Sequence, residues 1–215
     1  MKINLFFKSK RINSILVLFT LTCLSQISFS QSRYNSVYKN KLILGLNIVD
    51  DSFSKTNNAF NYDQQWNIAA YPSYFGYNYV VSENISVEGI FTLNKYSADK
   101  LVDGIKIPTE QNYYAFDVNA KYNLSNLIYS VDKLSNFEPF IAIGGGFTSI
   151  DSESRPTINY GFGTYIWFNK YENKCCSESI FNNLGLIFQT MGKSSLDQKT
   201  YGNQIQHTFG VVYRF

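Results

Sequence analysis

The chain has 215 residues, 45% of them hydrophobic and 17% aromatic, with 17 Tyr and 18 Phe against 4 Pro and 2 Met, a usage that favours strands over helices. The formal charge of +3 is misleading, because Lys2, Lys8, Lys10 and Arg11 stand in an acid-free head; without that head fifteen Lys plus Arg face sixteen Asp plus Glu, about −1, and a nucleic-acid partner is excluded. No segment beyond the amino terminus is long and apolar enough to cross a membrane as a helix, so a membrane-bound chain would have to cross as strands.

The amino terminus reads as a secretory signal peptide over residues 1–30: a basic head, an apolar stretch from Ile15 to Leu24, and small residues Ser28 and Ser30 before a cleavage that leaves Gln31 first. Cys23 follows Leu21 and Thr22, and Thr is a poor fit to the small residue that precedes a lipidated cysteine, so lipoprotein processing is not expected. Residues 31–215 then form one domain. Its cysteines, Cys175 and Cys176, are adjacent in a polar stretch. They lack the spacing of a disulfide framework or a metal site and read as turn residues.

Eight alternating segments follow, separated by breaks rich in Asn, Ser and Asp. Leu42 to Val49 sets Leu42, Leu44, Leu46 and Ile48 against Gly45 and Asn47, and a long polar stretch runs from Asp50 to Gln65. Tyr71 to Val81 sets Phe75, Tyr77, Tyr79 and Val81 against Gly76 and Asn78; Ser82, Glu83 and Asn84 turn the chain. Ile85 to Lys95 opposes Ile85, Val87, Phe91 and Leu93 to Ser86, Glu88, Thr92 and Asn94. Tyr113 to Tyr122 opposes Tyr114, Phe116, Val118, Ala120 and Tyr122 to Asp117, Asn119 and Lys121. The fifth, Phe137 to Phe147, is less regular, with Ile141, Ile143 and Phe147 away from Glu138, Ala142, Gly144 and Gly146. Ile158 to Asn169 sets Tyr160, Phe162, Ile166 and Phe168 against Asn159, Gly161, Gly163 and Trp167. Asn183 to Met191 sets Leu184, Leu186 and Phe188 against Gly185 and Gln189. The last, Gln206 to Phe215, alternates without a break to the final residue: His207, Phe209, Val211, Tyr213 and Phe215 lie on one face and Gln206, Thr208, Gly210, Val212 and Arg214 on the other.

Taken together, the apolar faces carry no formal charge except Lys95 at a strand end, while Glu88, Asp117, Lys121, Glu138 and Arg214 share the other face with Asn, Gln, Thr and Gly. A soluble barrel would fill its outer face with Lys and Glu. This polar face is too poor in charge for a solvated surface and suits the inside of a small barrel, with the aromatic face turned to lipid. The fold predicted is all-β, an eight-stranded antiparallel up-and-down transmembrane β-barrel, closed because an open sheet edge cannot be satisfied in lipid. An even strand number places both termini on one side, the periplasmic one, and sends the loops after strands one, three, five and seven outward. The connections holding Leu127 to Asn136 and Lys170 to Asn182 are longer than periplasmic turns usually are.

The terminal strand resembles that of Gram-negative outer-membrane barrels, whose assembly signal of a polar residue, a Gly and two alternating aromatics falls here on Thr208, Gly210, Tyr213 and Phe215. The resemblance is broader. With Val49, Asp50, Asp51 and Ser52 at the first corner, Tyr71, Pro72 and Ser73 entering strand two, and the run Gln189 to Lys193 leaving strand seven, residues 41–215 resemble the eight-stranded membrane domain of the OmpA superfamily. The resemblance implies an outer-membrane location in a Gram-negative bacterium, contact with outer-membrane lipid and lipopolysaccharide, and recognition by the outer-membrane assembly machinery. The chain stops at the eighth strand, so the peptidoglycan-binding function of many relatives is not carried over.

Strand direction places Glu88, Lys121, Glu138 and Arg214 near the terminal end of the lumen, with Asp117 higher and expected to join them through water. These five are expected to pair and plug the barrel, because unpaired charges inside a narrow barrel are costly. His207, the only histidine, points to lipid near the outer interface. No Ser follows two residues on and no acid is read on its face, so no catalytic residue is assigned and no enzyme is expected. Asp50, Asp51 and Asp63 read as solvated loop acids, so no metal and no cofactor are assigned. Tyr114, Tyr122, Tyr160 and Phe168 read as interfacial aromatics. The role expected is structural: anchoring, envelope integrity or surface contact. The rivals are a narrow channel, a subunit of an envelope or secretion complex with an unknown partner, and a secreted lipocalin-type barrel with inverted faces.

Overall fold

The computed structural model describes residues 38–51, 62–102, 105–128, 136–151, 153–168, 180–197 and 203–215. The signal-peptide segment and Cys175 and Cys176 lie outside the described residues. The strands are β1 (Asn40–Asp50), β2 (Trp66–Ile68), β3 (Tyr74–Val80), β4 (Ile85–Tyr96), β5 (Leu101–Val102), β6 (Ile105–Lys106), β7 (Gln111–Asn123), β8 (Phe137–Ile150), β9 (Glu153–Trp167), β10 (Leu184–Ser195) and β11 (Asn203–Arg214). β5 and β6 form a separate two-stranded hairpin. The others form one antiparallel sheet in the order β11-β10-β9-β8-β7-β4-β3-β1-β2, which an additional β11–β1 pairing closes into a barrel. Closure is complete to the last residue: β1 pairs β11 from Lys41 with Arg214 to Asp50 with Ile205, and Asn40 and Phe215 exchange both backbone hydrogen bonds, at 3.1 and 2.9 Å. No strand edge is left over on the seam.

β2 and β3 lie on the same edge of β1, β3 against Asn40–Gly45 and β2 against Ile48–Asp50. They are two halves of one barrel strand, so the barrel has eight walls. The break falls at residues 69–73, where Pro72 has no N–H to offer a ladder. Side chains take over the missing bonds: Ser73 Oγ accepts from the Asn47 amide at 2.8 Å, and Asn94 Nδ2 donates to the carbonyls of Asn47 (2.9 Å) and Asn67 (3.1 Å). The second segment therefore begins earlier than its alternation indicates, because an interruption of five residues destroys the period. Replacing Asn94, itself buried, with Ala strands two buried carbonyls and is expected to cost ~1–3 kcal/mol in denaturant titration of the folded barrel, while Asn112→Ala on the outer rim is neutral.

The apolar residues lie outside. Phe116 is 56% exposed, Ile143 65% and Phe162 65%, whereas Glu88 and Lys121 on the opposite face are 0% and 2% exposed. Among the strand residues of the outward face only Lys95 and Asp50, both at the end opposite the termini, carry a formal charge. The inward residues form two apolar clusters. Near the terminal end Ile43, Phe140, Tyr165, Trp167, Ile187 and Val212 fill the space between the polar groups. At the far end Val102 and Ile107, from the β5–β6 hairpin, are buried against Val49, Tyr96, Tyr113 and Ile150, so an outer connection folds inward and packs into that end of the lumen.

Candidate functional site

Among the described residues the lumen holds three buried lysine–carboxylate pairs. Glu88, inward on β4, accepts from Lys121 Nζ at 2.5 Å and from the hydroxyls of Tyr165 (3.1 Å) and Tyr74 (2.7 Å). Lys121 places its remaining hydrogens on the Tyr165 hydroxyl (3.0 Å) and Gln189 Oε1 (3.1 Å), and Gln189 Nε2 donates to Tyr74 at 2.8 Å. All three ammonium hydrogens therefore have acceptors, the condition for a tolerable buried ion pair. Toward the terminal end Lys41 Nζ meets Glu138 at 3.0 Å and lies 4.2 Å over the Tyr165 ring, which links this pair to the first. Toward the far end Lys193 Nζ meets Asp117 at 2.8 Å, and Asp117 also accepts from Asn159 Nδ2 at 2.8 Å. Arg214 is buried beside the Trp167 ring, 4.3 Å from its centroid, and donates to the Asn182 carbonyl at 3.1 Å. Above these, Tyr113 receives hydrogen bonds from Gln206 (2.6 Å) and Gln204, which in turn accepts from Tyr96 at 2.9 Å.

Of the five residues expected to associate, Glu88 and Lys121 are direct partners. Asp117 does not reach them; it pairs with Lys193, and Glu138 pairs with Lys41. Lys41 and Lys193 escaped the sequence reading, although both have the inward parity of their strands, Lys41 with Asn47 and Lys193 with Gln189. Tyr165, in step with Trp167, carried the same signal.

A second polar group lies on the outer surface across the closing seam. His207 Nδ1 is hydrogen-bonded to Thr190 Oγ1 on β10 at 3.0 Å, His207 Nε2 lies 3.4 Å from Asp50 Oδ2 on β1, and the Trp66 ring packs 5.2 Å from the imidazole. Contrary to expectation, an acid does share the face of His207: Asp50 belongs to a strand remote in sequence that closure brings alongside. Asp50 and Asp51 are also not solvated, at 4% and 1% exposure, because β2 folds over them, while Asp63 is exposed. Thr190, His207 and Asp50 stand in the order of an acyl-transfer relay. Yet β10 is paired on both edges through this stretch, so the amides beside Thr190 are taken up in the ladder and none is free to hold an oxyanion.

No protein-family model and no curated protein matches the sequence. Solved structures do match in fold. The N-terminal β-barrel domain of Pseudomonas aeruginosa OprF aligns with a TM-score of 0.50 at 9% identity, covering 83% of this chain and 98% of that one. The outer membrane protein OprG of the same organism aligns with a TM-score of 0.52 at 10% identity, covering 83% and 96%. The chain has the closed eight-stranded fold of outer-membrane β-barrels, and the resemblance to the OmpA-type membrane domain holds at the level of that fold.

Proposed function

We propose that this chain is an integral protein of the outer membrane of a Gram-negative bacterium, with both termini periplasmic and a lumen sealed by its own side chains. Its role is structural: anchoring, envelope integrity, or surface contact through the far-end connections. The observation that carries the reading is the inversion of the two faces. Large apolar side chains cover the outside, and the buried ion pairs lie within, the reverse of a lipocalin-type ligand carrier. Partners on this reading are outer-membrane lipid, lipopolysaccharide, and the assembly machinery, which would read Thr208, Gly210, Tyr213 and Phe215. No catalytic role is proposed.

Cell fractionation tests the location. The protein is expected in the outer-membrane fraction, released by detergent and not by salt, with gel migration that shifts on heating. Phe215→Ala is expected to deplete the assembled form in cells yet refold in detergent almost normally, since it retains the two backbone bonds to Asn40. Release in plain buffer would sink the proposal. The sealed lumen is tested separately in planar bilayers: no steady conductance is expected, and a stable open level altered by Lys121→Ala would establish a channel instead.

A further inference from the structure

The outward face is not uniformly covered. On β10 the outward residues shrink toward the far end, from Leu184, Leu186 and Phe188 to Thr190, Gly192 and Ser194, while β9 and β11 keep bulky ones beside them. The result is a groove in two contiguous parts, of about 400 and 190 Å³, that share Phe162 and Thr190. Phe162, Phe188, Phe209 and Ile48 line the larger part with Thr190 and His207. Tyr160 walls the smaller, its ring so close over Gly192 that an added Cβ would stand 2.9 Å from it. Together the two parts fall within the ~300–1,000 Å³ of small-ligand sites.

We infer that this groove holds one acyl chain of a lipopolysaccharide molecule, with the polar linkage at the head of the chain set against Thr190 and His207; the inference rests on the outer-membrane reading above. Three observations select the occupant. The groove is continuous with the apolar outer surface, so its contents come from the lipid phase. Its polar lining, Thr190, His207, Ser194 and Asn203, offers hydroxyl, ring-nitrogen and amide groups, and Lys193 turns its ammonium into the lumen onto Asp117. Side chains that both donate and accept suit the hydroxyl and amide groups near the head of a lipid A acyl chain, whereas the acyl esters of a phospholipid only accept and would leave the acceptors of Thr190, Ser194 and Asn203 unused. Finally, the polar group lies toward the end opposite the termini, the side of the outer leaflet on the proposed orientation.

Trp66 reports on the site. It packs on His207, and the chain's other tryptophan, Trp167, is buried in the lumen. The full chain is reconstituted into vesicles of phosphatidylcholine with brominated acyl chains, which quench Trp66, and a Trp66→Phe variant supplies the Trp167 background. Unbrominated lipid A at a few mole per cent is expected to relieve the quenching severalfold more than its mole fraction requires. Phosphatidylethanolamine at the same fraction should not. Thr190→Leu and, independently, Ser194→Leu fill the groove and should abolish the excess while keeping the heat-modifiable band. Relief in proportion to mole fraction, equal relief by phosphatidylethanolamine, or an excess that survives both substitutions would each overturn the inference. A chain that fails to float with the vesicles would overturn the membrane reading together with it.

Discussion

Glu88→Ala is expected to destabilise the barrel by ~3–5 kcal/mol, the cost of leaving a buried charge without its partner. Glu88 is wholly buried and accepts from Lys121, Tyr74 and Tyr165 together, so its removal leaves Lys121 and two hydroxyls short of an acceptor at once. Water could relieve them only by entering from the ends of the barrel, which are filled by Trp167 and Val212 below and Tyr113 above. Denaturant unfolding from detergent micelles measures the loss, with Trp167 as reporter, since it stacks on Tyr165 with ring centroids 5.9 Å apart. Glu88→Leu combined with Lys121→Met should be more stable than Glu88→Ala alone, because an apolar replacement for a whole ion pair is often neutral or better. Recovery would remain incomplete unless Tyr74 and Tyr165 also became Phe. A loss below ~1 kcal/mol for Glu88→Ala would mean that solvent reaches the cluster, and the sealed lumen would have to be abandoned.

The same cluster shows what alternation conveys and what it omits. Period two assigns Glu88, Asp117, Lys121, Glu138 and Arg214 to one face and Phe116, Ile143 and Phe209 to the other, and the uncharged aromatic side identifies lipid. It is blind to which inward residues face each other across the lumen. Lys41 and Glu138 are 97 residues apart, Lys193 and Asp117 76, and Lys121 and Glu88 33. Their meeting depends on the tilt and stagger of the strands around the barrel, which no single strand encodes. Connections are illegible for a related reason. The hairpin that buries Val102 and Ile107 in the far end, and the β2 half-strand that covers Asp50, are two or three residues of regular structure each, too short for a period to declare itself. The triple alignment of Thr190, His207 and Asp50 likewise exists only after β11 has closed on β1.

Ile143→Arg separates a lipid surround from a watery one. Ile143 lies midway along β8, 65% exposed, with Ala120 and Tyr160 of the same outward face as its cross-strand neighbours; Tyr160, expected at the interface, is thus the middle residue of β9 and not a strand-end aromatic. If the face is solvated, an arginine there costs almost nothing, as surface substitutions usually stay within ~0.5 kcal/mol. In a bilayer the midplane position carries ~2–4 kcal/mol and a position at the interface only ~0–1. Val81, 54% exposed beside the turn at the terminal end, supplies the interfacial partner, so the pair Ile143→Arg and Val81→Arg compares two similarly exposed sites at different depths. Unfolding measured in vesicles should show a loss of ~2–4 kcal/mol at Ile143 and little at Val81. Detergent should narrow the gap, since a micelle deforms around a guanidinium more readily than a bilayer does. Equal and small losses at both sites in vesicles would mean that depth has no physical reality for this barrel. The apolar exterior would then need a protein partner, and not lipid, to cover it.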